Sequence, residues 1–184
     1  MRVLGYLEYG SGLATAGAYL SAPTAVQLFG PAVPLPGQLV QVQRNDTGAK
    51  TTGSTTIPLD DTIPQNTEGD QYMTQAITPV SAANLLAVRS EGCFGASTSA
   101  VGIAALFKDA APDALKAVSF ATQSANSTPV LLEHIQLAAA TTSTTYKVRS
   151  GLNAAGTTTF NGAGGARQFG GVLNSFMEVR EVMA

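Results

Sequence analysis

Four acidic residues, Asp60, Asp61, Glu68 and Asp70, follow one another closely in the sequence. Carboxylate oxygens are the ligands that hard cations such as calcium prefer, so the group is a candidate cation site. Its spacing matches no EF-hand loop, and aspartate is also common at turns, where it hydrogen-bonds to nearby backbone. We therefore predict a series of turns with no metal and no cofactor, and the cation alternative stays open.

The chain has one histidine, His134, and one cysteine, Cys93. A general base needs a nucleophile and an orienting partner, and no G-x-S-x-G motif is present to supply a nucleophile. His134 lies in an alternating segment, which favours a structural hydrogen-bonding role on a strand. Cys93 has no basic neighbours in the sequence that would activate it, which favours a buried, unreactive thiol. We predict no catalytic residues and no enzyme activity.

The glycine-rich run from Gly162 to Arg167 fails the G-x-G-x-x-G pattern, because Arg167 occupies the place of the last glycine. It also leads into Gln168 and Phe169 rather than into a helix, so it does not predict phosphate binding. We predict instead a place of close backbone approach, such as a tight loop near a symmetry axis. The glycines assigned to this loop are Gly162, Gly164 and Gly165.

The elements that carry these residues are short strands. From Gly37 onward, short alternating segments are separated by clusters of Gly, Pro, Asn and Ser, which is typical of an antiparallel sandwich or barrel. A hairpin-type turn is predicted at Arg44–Gly48, with a threonine-rich strand at Lys50–Ile57 after it. The other predicted strands are Gln38–Gln43, Gln71–Pro79, Asn84–Cys93, Ala100–Lys108, Lys116–Gln123, Val130–Ala138, Thr144–Ser150, Thr157–Phe160 and Val172–Val182.

The segment from Ile57 to Pro79 contains two prolines, Pro58 and Pro64, that exclude a helix and favour extended residues before them. It resembles a module of tail-fibre and other virion structural proteins of tailed bacteriophages, which has the pattern IP-x-DDTIPQ-x-TEG followed by a strand ending in ITP. The resemblance runs from about Gly37 to the C-terminus. Its later landmarks are Ala104–Phe107, Leu132–His134, Tyr146–Arg149 and Asn161–Gly171.

The resemblance implies an all-β, antiparallel, jelly-roll-like β-sandwich that forms a homotrimer in a virion. Composition agrees with assembly: charged residues make up 12% of the 184 residues, against roughly 25% in soluble domains. A surface with few long charged side chains loses little side-chain entropy when other subunits cover it.

Charge and hydropathy exclude several other classes. A net charge of −2 with scattered Lys and Arg argues against nucleic acid as a partner. No apolar run is long enough to span a bilayer, so we predict no membrane insertion. Glu8 and repeated glycines interrupt any signal-peptide core, which predicts an unprocessed protein made in the cytoplasm. The resemblance to virion proteins implies a location in the virion and synthesis in the host cell. A single cysteine permits no disulfide within the chain.

Residues 1–36 differ from the rest, because large apolar side chains alternate there with Gly and Pro. That composition favours an extended arm that packs on another protein over a domain with its own core. We predict an N-terminal attachment arm at 1–36 and a β-sandwich domain at 37–184. The arm side chains expected to make contact are Leu4, Tyr6, Leu7, Tyr9, Tyr19, Leu28 and Phe29.

Three functions fit these features. The first is a trimeric tail-fibre or tail-tip protein that joins the particle through its arm and contributes to host adsorption by binding a cell-surface receptor or glycan. The second is a capsid decoration protein, which the short segment ahead of the module favours, since a fibre usually carries a long shaft. The third is a stand-alone carbohydrate-binding module, which the absence of Trp disfavours. In the first two, loops at one end of the sandwich are expected to carry recognition: Gly95–Ala100, Gln123–Thr128 and Gly151–Gly156.

Overall fold

The computed structural model describes residues 35–184. The predicted arm side chains from Leu4 to Phe29 lie outside the described residues. Within them the chain forms strands and one short 3-10 turn, at Phe169–Gly171. The strands are β1 Leu39–Thr47, β2 Thr51–Gly53, β3 Asp70–Ile77, β4 Leu85–Ala96, β5 Ala100–Lys108, β6 Lys116–Thr122, β7 Ser127–Leu137, β8 Thr144–Leu152, β9 Thr158–Phe160, β10 Gly162–Ala163, β11 Ala166–Arg167 and β12 Ser175–Val182.

Two antiparallel sheets contain all the long strands. The first sheet has the order β1-β12-β4-β7, and the short strands β9 and β2 extend it beside the end of β4. The second sheet has the order β3-β8-β5-β6. The remaining strands, β10 and β11, form a separate two-stranded hairpin.

The strand order identifies the architecture as a jelly roll. If the eight long strands are numbered along the chain, the sheets read first-eighth-third-sixth and second-seventh-fourth-fifth. Successive strands therefore alternate between the sheets for much of the chain, as they do when two Greek keys are wrapped into a sandwich. The predicted all-β antiparallel jelly-roll fold is confirmed for the described residues.

The core lies between the two sheets, where alternate residues of each strand point inward. Phe94 packs among other aromatic rings, with centroids 5.3–5.8 Å from those of Tyr72, Phe120 and Phe160. Such aromatic pairs bury large apolar areas in a fixed geometry. The other buried members of this core are Met73, Ile77, Leu86, Val88, Ala104, Leu106, Val130, Leu132, Ala138, Tyr146, Val148, Met177 and Val179.

The hairpin-type turn predicted at Arg44–Gly48 is wrong. β1 continues through Thr47, because eight of its residues pair with β12 and Arg44 finds carboxylate partners at Asp46 and Glu178. The strand predicted at Lys50–Ile57 is shorter in the structure, where only Thr51–Gly53 forms a strand and pairs with β9. The chain leaves the sheet there because Thr55 donates to the Asp70 carboxylate from its backbone N–H (2.9 Å) and its hydroxyl (3.0 Å).

Candidate functional site

Three of the four acidic residues predicted at turns, Asp60, Glu68 and Asp70, accept hydrogen bonds from backbone N–H groups, and the fourth, Asp61, is exposed. Asp60 accepts from the Thr62 N–H at 2.8 Å and from its hydroxyl, and these bonds lower the Asp60 pKa. Glu68 accepts from the Gln65 N–H at 2.9 Å. Asp70 holds Thr55 in the same way. Among residues 35–184 no group of three or more His, Cys, Asp or Glu side chains is arranged to hold a metal ion.

The segment of residues 54–69, which we call the motif loop, lies against the second sheet. Ile57 is fully buried, and its N–H donates to the Leu152 carbonyl at 3.1 Å. The Arg149 guanidinium donates to the Glu68 and Gly69 carbonyls, both at 2.7 Å. Gly69 has a φ of +59° and a Cβ there would lie 2.8 Å from Ile57, so this position requires glycine.

The motif loop is also tied to the connection between β5 and β6. The Asn66 N–H donates to the Pro112 carbonyl at 2.8 Å, and the Ala114 N–H donates to the Pro64 carbonyl at 3.0 Å. These bonds join segments that lie far apart in the sequence. The loop is therefore a fixed part of the sandwich.

The outer face of the second sheet is buried along its inner strand β5. In β5, Ala104 and Leu106 belong to the core between the sheets, whereas Ile103, Ala105 and Phe107 alternate with them and point the other way. These three are nevertheless buried, at 4% exposure or less. The outer face of the second sheet is thus covered along β5, whereas outward residues of the edge strands, such as Thr74 in β3 and Ser119 in β6, are exposed.

His134 and Cys93 lie on the first sheet. The His134 Nε2 is 3.2 Å from the Gln136 Oε1, and the Gln136 amide donates to the Tyr146 hydroxyl at 2.9 Å. Burial raises the pKa of Tyr146 to about 12, so this hydroxyl stays protonated. Cys93 is buried, and burial together with Glu91 raises its thiol pKa, which opposes thiolate formation.

The glycine-rich run forms the β10–β11 hairpin. Gly164 and Gly165 make its turn with φ of +56° and +79°, and a Cβ on either would meet open space. A Cβ on Gly162 would clash with the Ala166 carbonyl oxygen. Position 162 therefore requires glycine because another backbone segment lies too close for a side chain. Positions 164 and 165 favour glycine because the turn needs a positive φ. Their predicted place near a symmetry axis stays a prediction.

The three loops predicted to carry recognition lie together at one end of the sandwich. Ser97 and Thr157 exchange hydrogen bonds at 2.9 Å, and Ala96 forms a bridge with Ser124. A groove of about 500 Å³ is present at this end, lined by Ala121, Gln123, Asn126, Ser127, Thr128, Gln168 and Phe169. Phe169 is 72% exposed and has a φ of +51°, which is a strained conformation for an aromatic residue.

The outer face of the first sheet is not covered by any described segment, and we call it the open face. The strand register places its outward side chains in rows across β1, β12, β4 and β7. Row one is Leu39, Val182, Leu85 and Leu137; row two is Val42, Arg180, Ala87 and Ile135; row three is Arg44, Glu178, Arg89 and Glu133.

Row three alternates in charge across the four strands. Arg44 lies 3.5 Å from Glu178, and Arg89 lies 3.4 Å from Glu133. The guanidinium groups of Arg44 and Arg89 also lie over the Phe176 ring, at 4.0 and 5.6 Å from its centroid. These cation–π contacts hold both arginines in place above the sheet.

Rows one and two are mostly apolar and exposed. Leu39, Ile135 and Leu137 have exposures of 52%, 65% and 56%. A shallow depression of about 320 Å³ lies beside Ile135 and reaches Glu178 and Arg180 in the next strands. Contiguous exposed apolar side chains rimmed by polar residues mark interaction sites on soluble proteins.

Glu181 is a fully buried carboxylate at the end of β12. It accepts hydrogen bonds from Gln41 Nε2 and Asn84 Nδ2, both at 2.6 Å, and from the N–H groups of Val80 (2.9 Å) and Ser81 (3.1 Å). Burial raises the pKa of Glu181, but these bonds outweigh burial and hold it below the usual range. Glu181 thereby fixes the connection between β3 and β4 to the first sheet.

Neither Glu181 nor the open face was predicted from the sequence. The signal was present in the alternation of β12, which places Phe176, Glu178 and Arg180 on one face and Met177, Val179 and Glu181 on the other. A glutamate on the apolar face of a strand indicates a buried carboxylate with several donors.

Comparison with known proteins shows low structural similarity and no shared family. No family model and no curated protein matches the sequence. A chain of the disulfide-linked pili of Bacillus endospore appendages is 12% identical with a TM-score of 0.31, covering 85% of this chain and 100% of that one. A chain of infectious bursal disease virus, strain Gx, is 11% identical with a TM-score of 0.36, over 79% of this chain. VP2 of the subviral particle of that virus is 13% identical with a TM-score of 0.30, over 78% of this chain.

The chain spans 39% and 38% of the lengths of the two viral chains. The jelly-roll assignment is made from the strand order given above. Among residues 35–184, no helix is long and apolar enough to cross a bilayer.

Proposed function

We propose that this chain is a structural protein of a tailed-bacteriophage particle, of the tail-fibre or tail-tip type. In this proposal residues 1–36 attach it to the particle and residues 37–184 form a jelly-roll domain that assembles as a homotrimer. Its partners are copies of itself, other virion proteins and a receptor or glycan on the host surface.

The observation that carries the proposal is the structural role of the motif that resembles the phage module. Ile57 is buried, Asp60 and Glu68 hold turns, and Gly69 has the positive φ that the loop requires. Several residues of IP-x-DDTIPQ-x-TEG thus shape the motif loop or hold it against the second sheet. A motif with such roles in the fold is expected of a structural module.

The positions of the titratable side chains also support a structural role over a catalytic one. Asp60, Glu68 and Asp70 accept from local backbone, and Cys93 is buried. His134 bonds to an amide and has no hydrogen-bonded nucleophile among the described residues. A general base needs such a nucleophile within reach.

Recognition of the host is assigned to the loop end. The groove there is lined by amide and hydroxyl side chains beside exposed Phe169, on a rigid sandwich that keeps the loops in place. Charge insertions between Gly151 and Gly156 are expected to impair adsorption while the particles stay intact.

The test compares particles with and without the protein. Particles that lack it should adsorb poorly to host cells, and purified protein should scatter light as a trimer at micromolar concentration. Normal adsorption together with reduced resistance of the particles to heat or low salt would reject the adhesin function and favour capsid decoration. A stable monomer would reject the homotrimer.

A further inference from the structure

We propose that the open face of the first sheet binds the open face of a second copy of this chain around a two-fold axis. The contact is separate from the trimer proposed above and does not depend on a role in a virion. No described segment lies over the open face, whereas the motif loop is bonded to Arg149 in β8 on the second sheet and the outward residues of β5 are buried.

Row three is complementary to itself under this rotation. An axis parallel to the strands, between β12 and β4, reverses the order of strands but keeps each row opposite its own copy. Arg44 then faces Glu133 of the other copy, and Glu178 faces Arg89. Every charge of the row meets an opposite charge, which is the condition for an isologous contact.

The apolar rows match under the same rotation. Leu39 faces Leu137, and Val182 faces Leu85. In row two, Val42 faces Ile135, whose 65% exposure leaves most of its side chain to be covered. Apolar side chains therefore meet apolar side chains at these positions, while Arg180 faces Ala87. The face continues beyond the charged row with Asp46, Phe176, Glu91 and Leu131, where the rotation sets Asp46 opposite Leu131 and Phe176 opposite Glu91.

The area of the open face determines the affinity that we expect between the two copies. Four strands about 4.8 Å apart and three rows give a flat footprint of roughly 400 Å² per copy. Specific interfaces bury about 800 Å² per partner, so this contact is weak alone, with a dissociation constant on the order of 100 μM. The apparent affinity of this contact is higher where another contact already holds the two copies together, because their effective concentration is then higher.

Charge reversal in two separate variants tests the pairing. R44E places Glu against Glu133 twice in a symmetric pair, and E133R places Arg against Arg44 twice. Each variant alone should associate roughly tenfold more weakly than wild type, since two exposed ion pairs become repulsive. An equimolar mixture should recover association, because each mixed pair has only opposite charges. Sedimentation equilibrium of the full chain at up to about 1 mM measures this as a doubling of its basic mass.

Cross-linking gives a second measurement that does not depend on charge. Leu39 and Leu137 lie on strands at opposite edges of one face, about 14 Å apart, too far for a disulfide within one copy. Opposed residues of two facing sheets lie about 10 Å apart, so the cross-linker is a short bismaleimide rather than a direct disulfide. L39C mixed with L137C should form a cross-linked pair with this reagent, and neither should do so alone. Circular dichroism must show native structure for all variants. Absence of both the mixed cross-link and the mixed recovery would overturn the proposal.

Discussion

Replacing Glu181 with glutamine should destabilise the sandwich more than its single-atom change suggests. The fully buried carboxylate accepts from Val80, Ser81 and Asn84 through Oε1 and from Gln41 and Val80 through Oε2. The glutamine side chain would keep one acceptor oxygen and place an amide group where the second oxygen accepted. The Gln41 amide can reverse to face it, but the charge that strengthens every bond is lost.

The magnitude follows from the number of bonds. A hydrogen bond to a charged group contributes about 1.5–3 kcal/mol and a neutral bond about 0.5–1.5. Losing charge assistance at Val80, Ser81 and Asn84 therefore costs about 3 kcal/mol, partly offset because a neutral amide is easier to bury. We expect the E181Q variant to have a free energy of unfolding about 2–3 kcal/mol lower than wild type, which corresponds to a decrease of about 5–10 °C in Tm.

Urea unfolding followed by circular dichroism measures this loss, at one protein concentration because assembly alters apparent stability. Glu133→Gln is the matched control: the Glu133 side chain is 62% exposed, and its ion-pair partner among residues 35–184 is Arg89, so the change should alter stability by less than about 0.5 kcal/mol. Equal stabilities of the two variants at pH 7 would refute the role given to Glu181.

The same variant predicts a pH dependence with a defined sign. The folded-state pKa of Glu181 is depressed, so its contribution is present above the unfolded-state pKa and is lost as pH falls through the folded-state pKa. The stability gap between wild type and E181Q should shrink as pH is lowered below about 4. A gap that stays constant down to about pH 2 would contradict the depressed pKa.

Three further predictions concern other parts of the chain. A protein that begins at Gly37 should fold, as judged by circular dichroism, yet fail to join particles; an unfolded product would show that residues 1–36 belong to the core. Gly162→Ala should cost at least about 3 kcal/mol and Gly164→Ala about 1, because a Cβ on the first would meet backbone whereas the second needs only a positive φ; equal losses would argue against this assignment. A chelator should leave Tm unchanged, since Asp60 and Asp70 already accept from backbone N–H groups; a chelator-induced drop would point to a bound cation.

The sequence predicted the elements of the fold better than their pairing. The strand Ala100–Lys108 was predicted with the bounds that the structure has, since turn residues flank it on both sides. The turn predicted at Arg44 was wrong because local turn propensity was outweighed by eight paired residues in β12, where the partner of Arg44, Glu178, lies 134 positions away. Which strands pair depends on such long-range contacts, and local patterns do not report them.

The same limit applies to the candidate sites. The turn role of Asp60 follows from residue type and spacing, and the structure has it at a turn, whereas Asp70 begins β3 and holds Thr55. The open face and the donors around Glu181 combine residues from three or four segments. A single sequence shows which residues share a strand face, but only the register shows that row three alternates in charge.

The most direct test of the proposed function is the position of the protein on intact particles. Electron microscopy with an antibody against residues 37–184 should show label at the tail, where a tail-fibre or tail-tip protein is placed. Label distributed over the head would contradict the tail assignment and favour capsid decoration, and particles without label would contradict a virion role altogether.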